Sequence, residues 1–311
     1  MKLWDKGQKK TLGIVEKFEV GKDYIYDREI AKYDVKGTIA HIKMLNKIGI
    51  LSEDETRKLV LELEHLENKF GKNPPELSIE DEDIHTYIEN YLTSTLGDIG
   101  KKIHTGRSRN DQVLTAIRLY EKDKISEIFE ILDKILKKFI ELSKKYKDKP
   151  FIGYTHLRQA MPTTVDTWLN SFIEALEDDR KLLRFVYEFI DKNPLGSAAG
   201  YGSPIKLDRE LTTKLLGFSN YIKNPIYAQN TRGKYEAFLI FTLTTLLGDI
   251  AKFSNDIIIF SSDEFEFIKL KDEITTGSSI MPHKKNPDVF ELMRAKCKKL
   301  IGYLTTTMDI T

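Results

Sequence analysis

Disulfide chemistry is the first thing this sequence excludes. Among 311 residues it has one cysteine, Cys297, so neither an intramolecular disulfide nor a cysteine-based zinc cluster can form. A reducing, cytoplasmic setting is the expectation that follows. Chain breakers are also scarce, with 18 glycines and 9 prolines, below the usual share of about 12% for the pair. An excess of charge is missing too. The 49 basic and 48 acidic side chains leave a net charge of +1, which removes the electrostatic ground for a nucleic-acid or polybasic membrane binder. The longest uncharged apolar stretch, Ala237 to Gly248, has 12 residues. A membrane span needs roughly 18, so this stretch is expected to be a buried helix. The opening MKLWDKGQKK has no apolar core of the signal-peptide kind. No internal repeat or low-complexity linker is present. His41, His65, His85, His104, His156 and His283 show no HxxxH or HExxH spacing, so no metal site is expected. No G-x-x-x-x-G-K-[ST] occurs, and the Gly-rich LGSAAGYGSP does not follow a strand signal, which argues against a dinucleotide fingerprint.

What is there is helix-forming material. Hydrophobic residues make up 41% and charged residues 31%, enough apolar side chains for a sizeable core. Few breakers among many Lys, Glu, Leu and Ile predict long helices. Residues 1–112 read as shorter helices broken by loops. Ser52 with Glu55 forms a capping box that opens a helix from Glu53 to Phe70, closed by Gly71 and Pro74-Pro75. Residues 113–311 read as a second, long-helix domain. Its first helix runs from about Val113 to Tyr146. The second opens at Pro162, a residue suited to a first helical turn, and runs to Asp191. The third spans Lys234 to Ser261 and is apolar on nearly every face in its middle. Helices near thirty residues would be about 45 Å long. A helix apolar all round must be surrounded by others, and one chain supplies only three such rods. A homo-oligomer built around a shared bundle is therefore expected. The lysine-rich Lys144 to Lys149 reads as a solvated helix end.

Unusual residues gather in the loops between the rods. His104 to Gln112 (HTGRSRNDQ) puts Ser108, Arg109 and Asn110 just before a long helix. Asn110 or Asp111 can cap that helix, and the same helix start with two arginines suits a substrate bearing carboxylates. Gly153 to Pro162 (GYTHLRQAMP) carries Thr155 and His156. His156 is either structural or a proton shuttle. Thr275 to Pro287 (TTGSSIMPHKKNP) sets two serines beside Gly277 and follows them with Lys284, Lys285 and Asn286. It reads as a flexible loop capped by Asn286, or as a site where a serine alkoxide is stabilised by ammonium groups and backbone N–H donors. Glu291, five residues after Asn286, is a surface carboxylate or the partner that orients His156.

Taken together, these segments resemble the fumarase/aspartase superfamily and, within it, the argininosuccinate lyase family. The superfamily signature GSSxMPxKxNP is matched by Gly277 to Pro287. The narrower signals are TGRSRNDQV from Thr105, DEDIHT from Asp81, GYTHL from Gly153, PLGS from Pro194, YDVKGTIAHIKML from Tyr33 and the opening KLW. The resemblance implies an all-α fold, a long-helix bundle forming homotetramers whose active sites each draw on three subunits. It implies cleavage of a C–N bond by β-elimination, giving arginine and fumarate from argininosuccinate, without metal or organic cofactor. It implies that Ser278 takes the Cβ proton, that His156 is the acid/base partner near the leaving nitrogen, and that Glu291 pairs with His156. Lys284 and Asn286 match groups that bind substrate carboxylate and stabilise the intermediate. Ser108, Arg109, Asn110 and Thr155 match substrate-binding positions.

The sequence also departs from that pattern. His283 replaces the usual Gln and is similar to the adenylosuccinate lyase pattern, which GRSRND opposes. Asp23 stands where the family has a substrate-binding Ser, and Pro225 to Gly233 keeps Arg232 but loses the following Asp. The family's continuation, with a tyrosine, a glutamine and a lysine for substrate and a small C-terminal helical domain, is absent after Thr311. The expectation is thus either a fragment or a short form. Its rivals as a function are another fumarate-releasing lyase and a non-catalytic homologue.

Overall fold

The computed structural model describes residues 13–310. The opening MKLWDKGQKK, including KLW, lies outside the described residues. Helices dominate, in the order α1 (Gly13–Val20), α2 (Asp23–Lys47), α3 (Glu53–Lys72), α4 (Ile84–Leu96), α5 (Asp98–Lys101) and α6 (Arg109–Lys145). A hairpin of β1 (Pro150–Thr155) and β2 (Arg158–Thr164) precedes α7 (Val165–Ile190) and the short β3 (Lys192–Asn193). Then come α8 (Arg209–Leu216), β4 (Asn220–Tyr221), α9 (Pro225–Asn230), α10 (Lys234–Phe260), α11 (Asp288–Cys297) and α12 (Lys299–Asp309). The chain divides into two compact units: residues up to Lys124 with Ile190–Arg232, and Ile125–Phe189 with Gly233 onward. The two consecutive segments expected from the sequence, cut at residue 112, are not the line of this division. Helix α6 is unbroken from Arg109 to Lys145 and contributes to both units.

In the first unit local signals set the helix ends. Ser52 Oγ accepts the Glu55 N–H at 3.3 Å and Glu55 returns the bond to the Ser52 N–H at 2.9 Å, closing the capping box. Leu59, Leu63, Leu66 and Phe70 then fall on one face of α3 and are buried against Ala31, Val35, Ile42 and Leu45 of α2 and Ile84, Ile88 and Leu92 of α4. Gly71 does not end this helix, which continues to Lys72. Asp83 caps α4 through the Thr86 N–H at 2.7 Å, and Asp208 caps α8 through Leu211 at 2.9 Å.

In the second unit α6, α7 and α10 share a core of Leu132, Leu136, Ile173, Leu176 and Leu246. One expectation is corrected here. Pro162 is not in the first turn of α7; it lies in β2 opposite Ile152, and the helix starts at Val165. Both strands of an isolated hairpin are edges, where a residue without N–H is tolerated. The 234–261 rod forms as expected but is only partly buried. Only Tyr235, Thr242, Leu246, Ser254 and Ile257 are buried, while Phe238 and Phe241 are exposed. By length and composition alone, the stretch Pro225–Phe260 is long and apolar enough to cross a membrane, and 17% of its apolar 18-residue segment is buried within the chain.

One close approach can be tested directly. A Cβ on Gly100 would lie 2.5 Å from the Leu92 carbonyl carbon and the Thr93 nitrogen. Backbone cannot yield as a side chain can. Gly100→Ala should therefore destabilise the first unit by about 1–3 kcal/mol or more, read as a lower urea midpoint against an unchanged Gly71→Ala control, whose added methyl meets nothing within 4 Å.

Candidate active site

In the first unit, motifs far apart in sequence meet at the start of α6. The helix begins at Arg109, and its cap is Ser108 rather than Asn110 or Asp111. Ser108 Oγ accepts the Asn110 N–H at 3.3 Å, and Asp111 Oδ1 accepts the Ser108 N–H at 2.9 Å. Ser108 thus caps the helix at its second residue, while Asp111 returns a bond to the Ser108 N–H. Asp111 is fully buried, and its second oxygen accepts the N–H groups of Gly196 and Ala198 at 2.9 and 3.0 Å. Arg109 turns the other way. Its guanidinium donates to Glu82 at 2.9 Å and to Thr86 at 2.8 Å, and lies 3.0 Å from Asp83. DEDIHT therefore holds the arginine of GRSRN.

The YDVKGTIAHIKML segment supplies the bed beneath. Asp34, Thr38 and His41 follow at helical spacing on α2 and are all buried. Arg107 donates to Thr38 at 3.0 Å, and Gln112 donates to Asp34 at 3.3 Å. His85 Nδ1 lies 2.7 Å from Asp34. Burial opposes a charge on His85, but the Asp34 carboxylate outweighs it and raises the imidazole pKa. Burial likewise opposes ionisation of Asp34, yet His85 and Arg107 hold its pKa below the usual range. His41 behaves oppositely. Burial and the neighbouring Arg107 push its pKa well down, so the neutral ring donates Nε2–H to the Thr105 carbonyl at 2.8 Å. Burial lifts the Asp27 carboxyl to about 6 while it accepts the Ile84 N–H at 3.0 Å. Asp34, Thr38 and His41 at helical spacing on α2 are the sequence signal for this bed.

In the second unit, GYTHL forms the tip of the β1–β2 hairpin. Thr155 pairs with Arg158, leaving His156 and Leu157 as a two-residue turn with φ of 54° and 58°. Both central residues are left-handed, as the twist of such a turn demands, though neither is glycine. The hairpin is anchored by aromatic rings. Phe151 meets Phe260 and Phe267 at 5.8 Å, and Tyr154 meets Phe265 at 5.0 Å. Thr155 and His156 are exposed.

The Thr275–Pro287 segment is a closed loop. Thr276 and Asn286 exchange backbone hydrogen bonds of 3.2 and 2.8 Å across its neck. Asn286 does not cap α11; its Nδ2 donates to the Gly277 carbonyl at 3.3 Å, within the loop. Ser278 Oγ accepts the N–H groups of Ile280 and Met281 at 3.3 and 3.2 Å. Lys285 pairs with Asp272, whereas the exposed Lys284 makes no such pair among the described residues. Glu291 lies in the first turn of α11 and is exposed. Among the described residues no hydrogen bond or ion pair joins His156 to Glu291 or to Ser278. Nor do any three His, Cys, Asp or Glu side chains among them form a metal-binding cluster.

These loops are matched in known proteins. The profile of a family described as Lyase covers residues 17–302. The argininosuccinate lyase of Thermotoga neapolitana is 50% identical over 299 residues, 94% of this chain and 74% of that protein. That of Phocaeicola vulgatus is 48% identical over 301 residues, 96% of this chain and 67% of that protein. The chain belongs to the argininosuccinate lyase family. The family's fold extends to a solved EDDS lyase in complex with formate, with TM-score 0.83 and 26% identity over 96% of this chain and 59% of that one. Sequence reasoning placed Arg109 among the substrate contacts, but within this family member the structure engages it with Glu82, Asp83 and Thr86. The sequence offered Asp111 only as a helix cap and gave Asp34 no role; Asp111 holds the turn that carries Ser108 and Asn110, and Asp34 accepts from Gln112.

The buried His85–Asp34 pair makes a pH-dependent contribution. Asp34 titrates low, so its share is present above about pH 4; the raised pKa of His85 means its share is complete below about pH 6.5 and fades as pH climbs through the raised value. Asp34→Asn should cost about 3–5 kcal/mol at pH 5.5. It should also remove the loss of stability on raising pH from 6 to 8, both read by urea denaturation.

Proposed function

We propose that this chain is the catalytic polypeptide of an argininosuccinate lyase, cleaving argininosuccinate to L-arginine and fumarate. The observation that carries this reading is Ser278 Oγ, which already accepts two backbone N–H groups, from Ile280 and Met281. Hydrogen bonds to an oxygen favour its charged form, and an alkoxide is the form a serine needs to act as base. As the alkoxide, Ser278 takes the Cβ proton of the succinyl moiety. The electron pair left on Cβ spreads into the adjacent carboxylate, where Lys284 and Asn286 neutralise it. That pair then forms the C=C bond of fumarate as the C–N bond breaks, and the departing nitrogen collects a proton from His156. Glu291 holds the His156 tautomer. Ser108, Arg109, Asn110 and Thr155 bind substrate. The reading needs no metal and no organic cofactor.

The same reading makes the protein a soluble, cytoplasmic homotetramer with sites shared between subunits. Support comes from the exposure of His156, Lys284 and Glu291 within one chain. Further support comes from exposed apolar side chains on the second unit's helices, Phe241, Leu292 and Ile301, since apolar patches on this scale mark interaction surfaces. Helix α10 fits a bundle better than a membrane. Asp249 pairs with Lys252 at 2.7 Å, and Asp256 accepts the Trp168 indole N–H at 2.9 Å.

Fumarate appearance at 240 nm tests the reaction, with argininosuccinate, adenylosuccinate and aspartate supplied in parallel. Release from argininosuccinate alone is expected; release from another of the three, or from none, overturns the assignment. Ser278→Ala should lower turnover by about 10²–10⁴-fold with an unchanged circular dichroism spectrum. Turnover equal to the parent's would remove Ser278 from its role as base.

A further inference from the structure

The loop Pro194–Ala198 is gripped from two sides by opposite charges. On its N–H side the buried Asp111 carboxylate accepts Gly196 and Ala198 at 2.9 and 3.0 Å. On its carbonyl side Arg209 donates Nε to the Leu195 oxygen at 2.9 Å and Nη2 to the Pro194 oxygen at 3.4 Å. The Arg209 guanidinium also stacks over the Tyr221 ring at 5.0 Å. Gly196, at φ +88°, allows this grip. A Cβ there would come within 2.9 Å of Arg209 Cγ. Ala198 is held at φ +50°, a left-handed conformation that a non-glycine residue keeps only when its surroundings enforce it. Leu195 and Ser197 are almost fully buried, so the loop has little freedom apart from the grip.

The other oxygen of the same carboxylate holds the Ser108 N–H at 2.9 Å. Asp111 therefore links the loop rigidly to the turn that carries Ser108 and Asn110. Asn110 has its own restraint, because Arg232 donates to its backbone carbonyl at 2.9 Å and to its side-chain oxygen at 3.3 Å.

We propose that Arg209 and Asp111 are positioning residues, which set the Ser108–Asn110 turn for substrate through the Pro194–Ala198 loop. This rests on the reading of that turn as a substrate-binding element. Arg209 touches no part of the turn itself in any hydrogen bond above; it acts by keeping the peptide groups of 194–198 aimed so that Gly196 and Ala198 stay on Asp111. Without it, two carbonyls lose their donor and the loop can rotate. Asp111 then follows its N–H partners, and the Ser108 N–H loses its fixed acceptor. A carboxylate-bearing substrate would meet a turn no longer organised to receive it.

The test uses the full chain and the variants Arg209→Ala and Arg209→Lys. Removing charge-assisted hydrogen bonds of this kind should raise KM for argininosuccinate about tenfold or more, with kcat much less affected. Arg209→Lys should fall between the parent and Arg209→Ala, and millimolar methylguanidine should restore much of the Arg209→Ala loss. A loss caused by general weakening of the unit would not respond to the added guanidinium. A KM within about twofold of the parent's, or a rise that neither lysine nor methylguanidine relieves, would overturn the proposal. Hydrogen exchange reads the grip without turnover. In Arg209→Ala the amides of Gly196, Ala198 and Ser108 should exchange about tenfold faster while those of α3 do not change. Unaltered exchange at those three amides also overturns it. A parent chain that releases no fumarate, together with faster exchange at these amides in Arg209→Ala, would refute the lyase reading and leave the grip standing.

Discussion

A single buried carboxylate organises the first unit. Asp111 has no exposure to water and accepts three backbone N–H groups, from Ser108, Gly196 and Ala198. Burying an ion is expensive unless its lone pairs are met, and here three donors meet them. Because those donors lie 85 and 87 residues from Asp111 in one direction and three in the other, the bond set ties the start of α6 to a loop entered after α7. Loss of that carboxylate would leave three N–H groups without acceptors in a site that excludes water.

Around this centre the polar groups are layered by charge. Arg107, Asp34 and His85 form the deepest layer, where opposite charges sustain one another against burial. Arg109 lies between that layer and the turn, shared among Glu82, Asp83 and Thr86. His41 sits beside the guanidinium of Arg107 and stays neutral, serving as a donor to the chain at Thr105. Ser108, half-buried, and Asn110, exposed, lie nearer the surface than Asp111. Rigidity below and accessibility above suit a site that must recognise a small charged molecule.

The second unit solves a different problem. Its candidate groups sit on two excursions from long helices, a hairpin tip and a closed loop. Aromatic packing on Phe260, Phe265 and Phe267 anchors the hairpin. The loop is closed by its own backbone bridge between Thr276 and Asn286. Both keep their polar tips exposed, as expected of groups that act on something outside the chain that carries them. The strained turn at His156 is consistent with this, because left-handed non-glycine residues persist where structure or chemistry requires them.

Much of this was legible in the amino-acid order. The three rods were readable because apolar residues recur at helical spacing over more than twenty positions, and the Ser52–Glu55 box because a cap is a matter of three residues. The family was readable because motifs such as GSSIMPHKKNP are local strings. The hairpin was not readable: GYTHLRQAMP is short, carries a proline and lacks a glycine in its turn, so tertiary packing of Phe151 and Tyr154 decided its conformation. The intrachain partners of Arg109 were not readable either. An arginine before a helix is equally suited to a ligand's carboxylate and to the chain's own, and only the fold brings Glu82 and Asp83 within reach. The sequence by itself determined helix positions, caps and chemical inventory, because those depend on neighbours in the chain. Tertiary structure decided which charges are spent on one another and which remain for substrate, because that depends on distances between residues far apart in sequence.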